Sequence, residues 1–252
     1  MLGGNVILIG KVGNDTHGEF YVEEMRRHNV THTTNNHDAI TGHAITFITP
    51  DSQRSFSTHL GAAIHLARED VIEEDIAESK ILFLEGYQFE GEADVALHAI
   101  ELAKKHNTKI AIDLADPGVI RRNRDVLTKA LQDCDIVFVN ETEATEWTGK
   151  PPEEAVSILG DVCDIAIVKV GAEGSYISHN GEIVMIDPVS AIALDTTGAG
   201  DTYAAGFLYG YTQGWDLQKA ANLGSIMAAK IVELKGVKLD QINVNELKEK
   251  IE

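Results

Sequence analysis

Asp195-Thr-Thr-Gly-Ala-Gly-Asp201 runs directly into Tyr203-Ala-Ala-Gly-Phe-Leu208, an apolar pattern of helical character. The first amides of a helix lack intrahelical partners and carry partial positive charge, so Gly198, Ala199 and Gly200 are placed to cradle an anion. Glycine and alanine leave no bulk between those amides and an incoming phosphate. Asp201 follows one step inside the cradle, where a substrate hydroxyl would have to lose its proton. Anion cradle and adjacent base together are what in-line phosphoryl transfer requires. Read alone, Gly-x-Gly-Asp is equally a helix start with a first-turn acid, since short motifs match by chance.

Outward from this stretch, short β-branched runs alternate with amphipathic ones. Val6–Ile9, Ile81–Leu84, Lys109–Ile112, Ile136–Val139 and Ile165–Val170 read as buried strands. Gly18–His28, Glu92–His106, Arg121–Leu131 and Glu153–Leu159 carry helical spacing. The alternation predicts an α/β fold: a mostly parallel sheet, helices on both faces, ligands beyond the carboxyl ends of the strands. Two hairpins interrupt it. Thr41–Thr49 and Gln53–Thr58 flank Pro50-Asp51-Ser52, and Ser175–Ile177 and Ile183–Ile186 flank Asn180-Gly181, a type I′ turn.

Composition narrows the partners. The chain has 252 residues and a formal charge of −19, so its surface does not suit nucleic acid, which needs basic groups to displace counterions. The apolar runs fall short of a membrane span, and no signal peptide or lipidation motif is visible. Cys134 and Cys163 are isolated in apolar patterns, which reads as reduced core thiols and a cytoplasmic protein. His28, His32, His37 and His43 fall where a helix end runs into a loop, and read as a solvated surface. Gly10-Lys11 and Gly149-Lys150 lack the rest of a P-loop, and no strand is followed by Gly-x-Gly-x-x-Gly, which removes P-loop kinases and Rossmann dehydrogenases.

Further motifs sit at strand ends. Asn140-Glu-Thr-Glu143 follows Ile136–Val139; Asn140 suits a helix cap and the glutamates suit its first turn, whereas Asn140 and Glu143 also suit Mg²⁺ beside phosphates. Lys169-Val-Gly-Ala-Glu-Gly174-Ser175 follows a strand and reads as a turn needing two glycines. Tyr87 in Leu84-Glu-Gly-Tyr87 has a ring able to stack on a base or sugar, or simply to pack.

Asp195–Asp201 as a whole resembles the signature of the ribokinase-like (PfkB) carbohydrate and nucleoside kinases, and the resemblance extends over almost the whole chain. It implies a ribokinase-like fold in one kinase domain over residues 1–252, with a small β lid formed by strands within about 31–60. Asp201 would be the catalytic base, and Gly198, Ala199 and Gly200 would hold the transferring phosphoryl group of ATP. Asn140 and Glu143 match a second family motif and would hold Mg²⁺. Lys169, Gly171, Gly174, Thr197 and Asn222 would lie along the nucleotide, with Asn222 and Gly236 near adenine and a monovalent cation such as K⁺. Leu84–Tyr87 leans toward the adenosine-kinase-like branch, whereas Asp113-Leu-Ala-Asp116 departs from the Asp-x-Asn-x-Arg of many relatives. The expected acceptor is a hydroxyl of a small sugar or nucleoside, with no nucleic acid or membrane partner. Pairing of two copies through the lid is an option the family offers.

Against the family pattern, residues 1–18 resemble an internal segment. The opening strand with its substrate-binding acid, the hairpin after it and a Gly-Gly-x-x-x-Asn motif are not found, so the kinase domain is expected to be N-terminally incomplete. The competing expectation is therefore a non-catalytic ATP-binding fragment or pseudokinase lacking the acceptor site.

Overall fold

The computed structural model describes residues 2–48, 54–91, 93–243 and 247. The chain divides into two compact units, residues 3–75 and residues 1–2 with 76–252. In the smaller unit, β1 (Ile7–Gly13) leads into α1 (Thr16–Arg27), β2 (Thr31–His37), β3 (His43–Ile48) and β4 (Arg54–His59). β1 and β2 pair in parallel, and β3 and β4 form an antiparallel hairpin, with the expected turn Pro50-Asp51-Ser52 outside the described residues. Asp15 starts α1: its carboxylate accepts from Gly18 N at 2.9 Å and from Thr41 N and Thr41 Oγ1 at 2.7 and 2.6 Å. Those bonds hold the Asp15 carboxyl down at about 2.

In the larger unit the remaining elements run α2 (Glu73–Ala77, begun in the smaller unit), β5 (Ile81–Glu85), α3 (Asp94–His106), β6 (Lys109–Asp113), α4 (Pro117–Arg122), α5 (Arg124–Leu131), β7 (Ile136–Asn140), α6 (Glu141–Thr148), α7 (Pro152–Gly160), β8 (Ile165–Lys169), β9 (Ser175–His179), β10 (Glu182–Ile186), α8 (Ala199–Thr212) and α9 (Leu217–Val232). One six-stranded sheet has the order β10-β9-β8-β7-β6-β5; β5 to β8 are parallel, and β9 and β10 add an antiparallel edge. Strand side chains alternate between faces. Ile136, Phe138, Ile165, Ile167, Ile177 and Ile186 pack with Tyr203, Phe207, Ala220 and Ala221 of α8 and α9. Val137, Val139, Ala166 and Val168, of opposite parity and fully buried, point to the other face, where α7 meets β8.

Four sequence expectations need correction. Val6 lies outside β1 and is 52% exposed, and Ile7–Ile9 are only half-buried, because β1 belongs to a two-stranded sheet in which β2 is its one hydrogen-bonded strand neighbour among the described residues. Phe83 is 39% exposed because β5 is an edge strand of the six-stranded sheet. Arg121–Leu131 is two helices: Asn123, at φ −119° and ψ 21°, ends α4 and starts α5, and its Nδ2 donates to Val119 O at 3.0 Å. Residues 31–37, read as loop, form β2, whose extended backbone is fixed by parallel pairing with β1. The Asn180-Gly181 turn is as expected, with φ 52° and 77°.

Candidate active site

The last residue of each parallel strand in the six-stranded sheet is polar: Glu85, Asp113, Asn140 and Lys169. These four line one cleft of about 370 Å³ together with Tyr87, Ala115, Glu143, Gly200 and Asp201. Parallel register aligns the strand ends, Glu85 opposite Asp113 and Asn140 opposite Lys169. The amino end of α8 completes the cleft with Gly200 and the exposed Asp201.

Local chemistry explains the helix starts around it. Gly198 precedes α8 at φ 76°, a left-handed conformation that glycine adopts freely, and no side chain among the described residues caps that helix. Asp195 braces the turn: Oδ1 accepts from Thr197 N and Thr197 Oγ1 at 3.0 and 2.7 Å, and Oδ2 accepts from Gly236 N at 3.0 Å. Asn140 caps α6 by accepting from Glu143 N at 2.9 Å, while Glu143 Oε2 and Oε1 accept from Asn140 N and Nδ2 at 2.8 and 2.5 Å. This capping box meets the structural reading of Asn140 and Glu143 in full, and the same two side chains face the cleft. Burial, then the Asp113 charge, push the Glu143 carboxyl up to about 7.

Asp113-Leu-Ala-Asp116, which departs from the family's Asp-x-Asn-x-Arg, still supplies polar contacts. Asp113 is in fact paired: Lys169 Nζ donates to its Oδ2 at 2.7 Å, and Ala115 N donates to its Oδ1 at 3.0 Å. Asp116 caps α4, accepting from Gly118 N and Val119 N at 2.7 and 3.1 Å, so it serves the helix. Glu85 was missed as a cleft residue. The available sign was an acid closing an apolar strand run, which puts a charge at a carboxyl end.

The expected site residues separate into two groups. Asn140, Glu143, Lys169, Gly200 and Asp201 line one cleft, and Thr197, Gly198 and Ala199 form the turn that enters it. Gly171, Gly174 and Asn222 are not among its lining residues. Gly174 has a packing reason to be glycine, since a Cβ there would sit 2.1 Å from Ile186 O. Asn222 is exposed on α9.

A divalent cation fits this donor set in one way only. Among the described residues no three His, Cys, Asp or Glu side chains converge as a metal cage. Four carboxylates nonetheless share the cleft with one lysine. That suits a hard cation keeping water and phosphate oxygens in most of its coordination shell, with a single carboxylate such as Glu143 near it.

Known proteins resemble this chain in sequence and in fold. A family model described as pfkB family carbohydrate kinase matches residues 1–243. A 5-dehydro-2-deoxygluconokinase of Bacillus subtilis is 31% identical over 89% of this chain and 74% of its own. The crystal structure of an adenosine kinase from Sinorhizobium meliloti superposes with a TM-score of 0.86 at 33% identity, covering 92% of this chain and 74% of that one. An Escherichia coli protein of the ribokinase II type, solved in complex with ATP and Mg²⁺, shares the fold at a TM-score of 0.89 and 22% identity, covering 99% of this chain and 84% of that one. The first two carry the names of a sugar kinase and a nucleoside kinase. The chain belongs to the pfkB family of carbohydrate kinases.

Proposed function

We propose that the chain transfers the γ-phosphate of ATP to a hydroxyl of a small sugar or nucleoside. The observation that carries the reading is the meeting of the α8 amino end and Asp201 with four polar strand ends in one cleft. The acceptor oxygen forms a bond to the γ-phosphorus, the bond from that phosphorus to the β–γ bridging oxygen breaks, and ADP leaves with the electron pair. Asp201 takes the proton of the acceptor hydroxyl. The amides of Gly198–Gly200 donate to the phosphoryl oxygens, and Lys169 adds a positive charge. Asn140 and Glu143 are the groups we assign to Mg²⁺, which when bound would neutralise phosphate charge. Thr197, Gly171, Gly174 and Asn222 are assigned to the nucleotide side on the family pattern. On the same family pattern we propose K⁺ dependence and pairing of copies through the β3–β4 lid.

For the acceptor, the relative named 5-dehydro-2-deoxygluconokinase favours a sugar or sugar acid, and the structural relative named adenosine kinase favours a nucleoside. Turnover of a panel containing both classes, with ATP and Mg²⁺, tests the proposal. Asp201→Asn is expected to lower kcat by about a hundredfold or more while ATP still binds. Near-normal turnover in that variant would remove Asp201 from the mechanism. ATP binding with no turnover of any acceptor would leave the non-catalytic reading.

A further inference from the structure

Lys169 is the only cation among the described residues that line the cleft, and it faces four carboxylates there: Glu85, Asp113, Glu143 and Asp201. Its charge pulls the Glu85 carboxyl downward, against the larger upward push of burial. Yet it hydrogen-bonds to Asp113, Oδ2 at 2.7 Å, with both side chains largely buried. Two further restraints fix the ammonium. Its Nζ lies 6.0 Å from the Phe138 ring centroid, and a Cβ on Gly200 would come within 3.2 Å of it. The ammonium is thus packed beside the second residue of α8, where helix amides gather an anion.

Asp113 is itself pinned. Leu114 N donates to Phe138 O at 3.0 Å, and Ala115 turns to φ 67°, bringing its amide to Asp113 Oδ1. A left-handed conformation crowds the Cβ of any residue but glycine. Such strain is a reservoir that folds keep at functional sites.

We propose that Asp113 is a positioning residue for phosphoryl transfer: it holds the Lys169 ammonium against Gly200, where it meets the transferring phosphoryl group, and keeps it off Asp201. The inference rests on the kinase reading above and adds to it a residue that touches neither substrate. An ammonium has three N–H donors, so the bond to Asp113 does not exhaust it. Without Asp113, the lysine is left among the other cleft carboxylates, and pairing with Asp201 would occupy the base.

The test is a cycle of Asp113→Asn, Lys169→Met and the double variant. Asparagine keeps the shape of the side chain and the bond from Ala115. The first readout needs no turnover: affinities for ADP and for a non-hydrolysable ATP analogue with Mg²⁺. Both single variants are expected to lose at least fivefold of the preference for the analogue, and the double variant no more than Lys169→Met alone. The second readout is kcat, expected to fall about ten- to a hundredfold in each single variant with the acceptor KM changed less than threefold. Thermal melting checks each fold. If Asp113→Asn unfolds below the assay temperature, Asp113→Glu, which moves the carboxylate by one methylene, is expected to give the same losses. An unchanged analogue preference in Asp113→Asn, or a loss repeated in full on the Lys169→Met background, overturns the proposal. Failure of the kinase reading has a different appearance: the wild-type chain turns over no acceptor.

Discussion

Glu85 and Asp113 are register partners at the carboxyl ends of neighbouring parallel strands, two carboxylates side by side in one cleft. Burial first, then the charges of Asp201 and Asp113, push the Glu85 carboxyl up, against a smaller downward pull from Lys169. The folded protein therefore resists ionising Glu85, and the penalty grows as pH rises above the ordinary glutamate range. Replacing Glu85 by Gln is expected to raise stability at pH 8, a gain that shrinks toward pH 4. Turnover is expected to fall, the usual cost of relieving a strained site. Urea denaturation at the two pH values measures it; no gain at pH 8 contradicts it.

Glu143 sets a second pH dependence. Its carboxyl sheds a proton near 4.5 in the unfolded chain and near 7 in the folded one. The folded state thus holds the extra proton between those values, and stability falls as pH rises from about 4.5 to about 7, by up to about 3 kcal/mol. Glu143→Gln is expected to abolish that part of the slope. Mg²⁺ with ATP is expected to flatten it as well, by favouring the carboxylate. Denaturation midpoints measured across pH 4.5–7.5, first with chelator and then with Mg²⁺ and ATP, decide both points.

Gly171 and Gly174 belong to the same turn but should respond differently to alanine. Gly174 has φ 102°, and its Cβ would strike Ile186 O at 2.1 Å and crowd Pro188 N at 3.1 Å. Gly171 has φ 56°, and the nearest atom to a Cβ is Glu141 Oε1 at 3.7 Å. Gly174→Ala is expected to cost more than about 3 kcal/mol and Gly171→Ala about 1 kcal/mol. Comparable melting temperatures for the two variants would show that the turn yields at Gly174.

Cys134 and Cys163 occupy equivalent places, each two residues before the register pair Ile136 and Ile165, and both are free and buried. Burial and contact with Cys163 push the Cys134 thiol well above its ordinary range. Burial closes both sulfurs to reagent, so neither cysteine should react with an aromatic disulfide reagent in the native protein within minutes. Both are expected to react at once in denaturant; fast native labelling would mean that the strand ends open readily.

The parallel strands were legible because their apolar runs are short, β-branched and bounded by helices of clear period. The Asp195–Asp201 turn was legible from its glycines and acid. β2 was not, since Thr31–His37 is polar and gains its strand character from pairing with β1. The break at Asn123 was hidden by an apolar period that continues across it. Glu85 and Asp113 were passed over for a related reason: single acids at strand ends acquire meaning only when register sets them side by side.

The cleft's polar side chains from the sheet occupy one position per strand, the terminal one, while the residues behind them are core. The chemistry presented to a ligand is therefore modular: exchanging a terminal residue redraws recognition and leaves the packed interior alone. Inserting one residue within a strand does the reverse, rotating the terminal group to the opposite face. Altered acceptor preference in this scaffold should be sought by substitution at strand termini, with Glu85 on the edge strand the least constrained by neighbours.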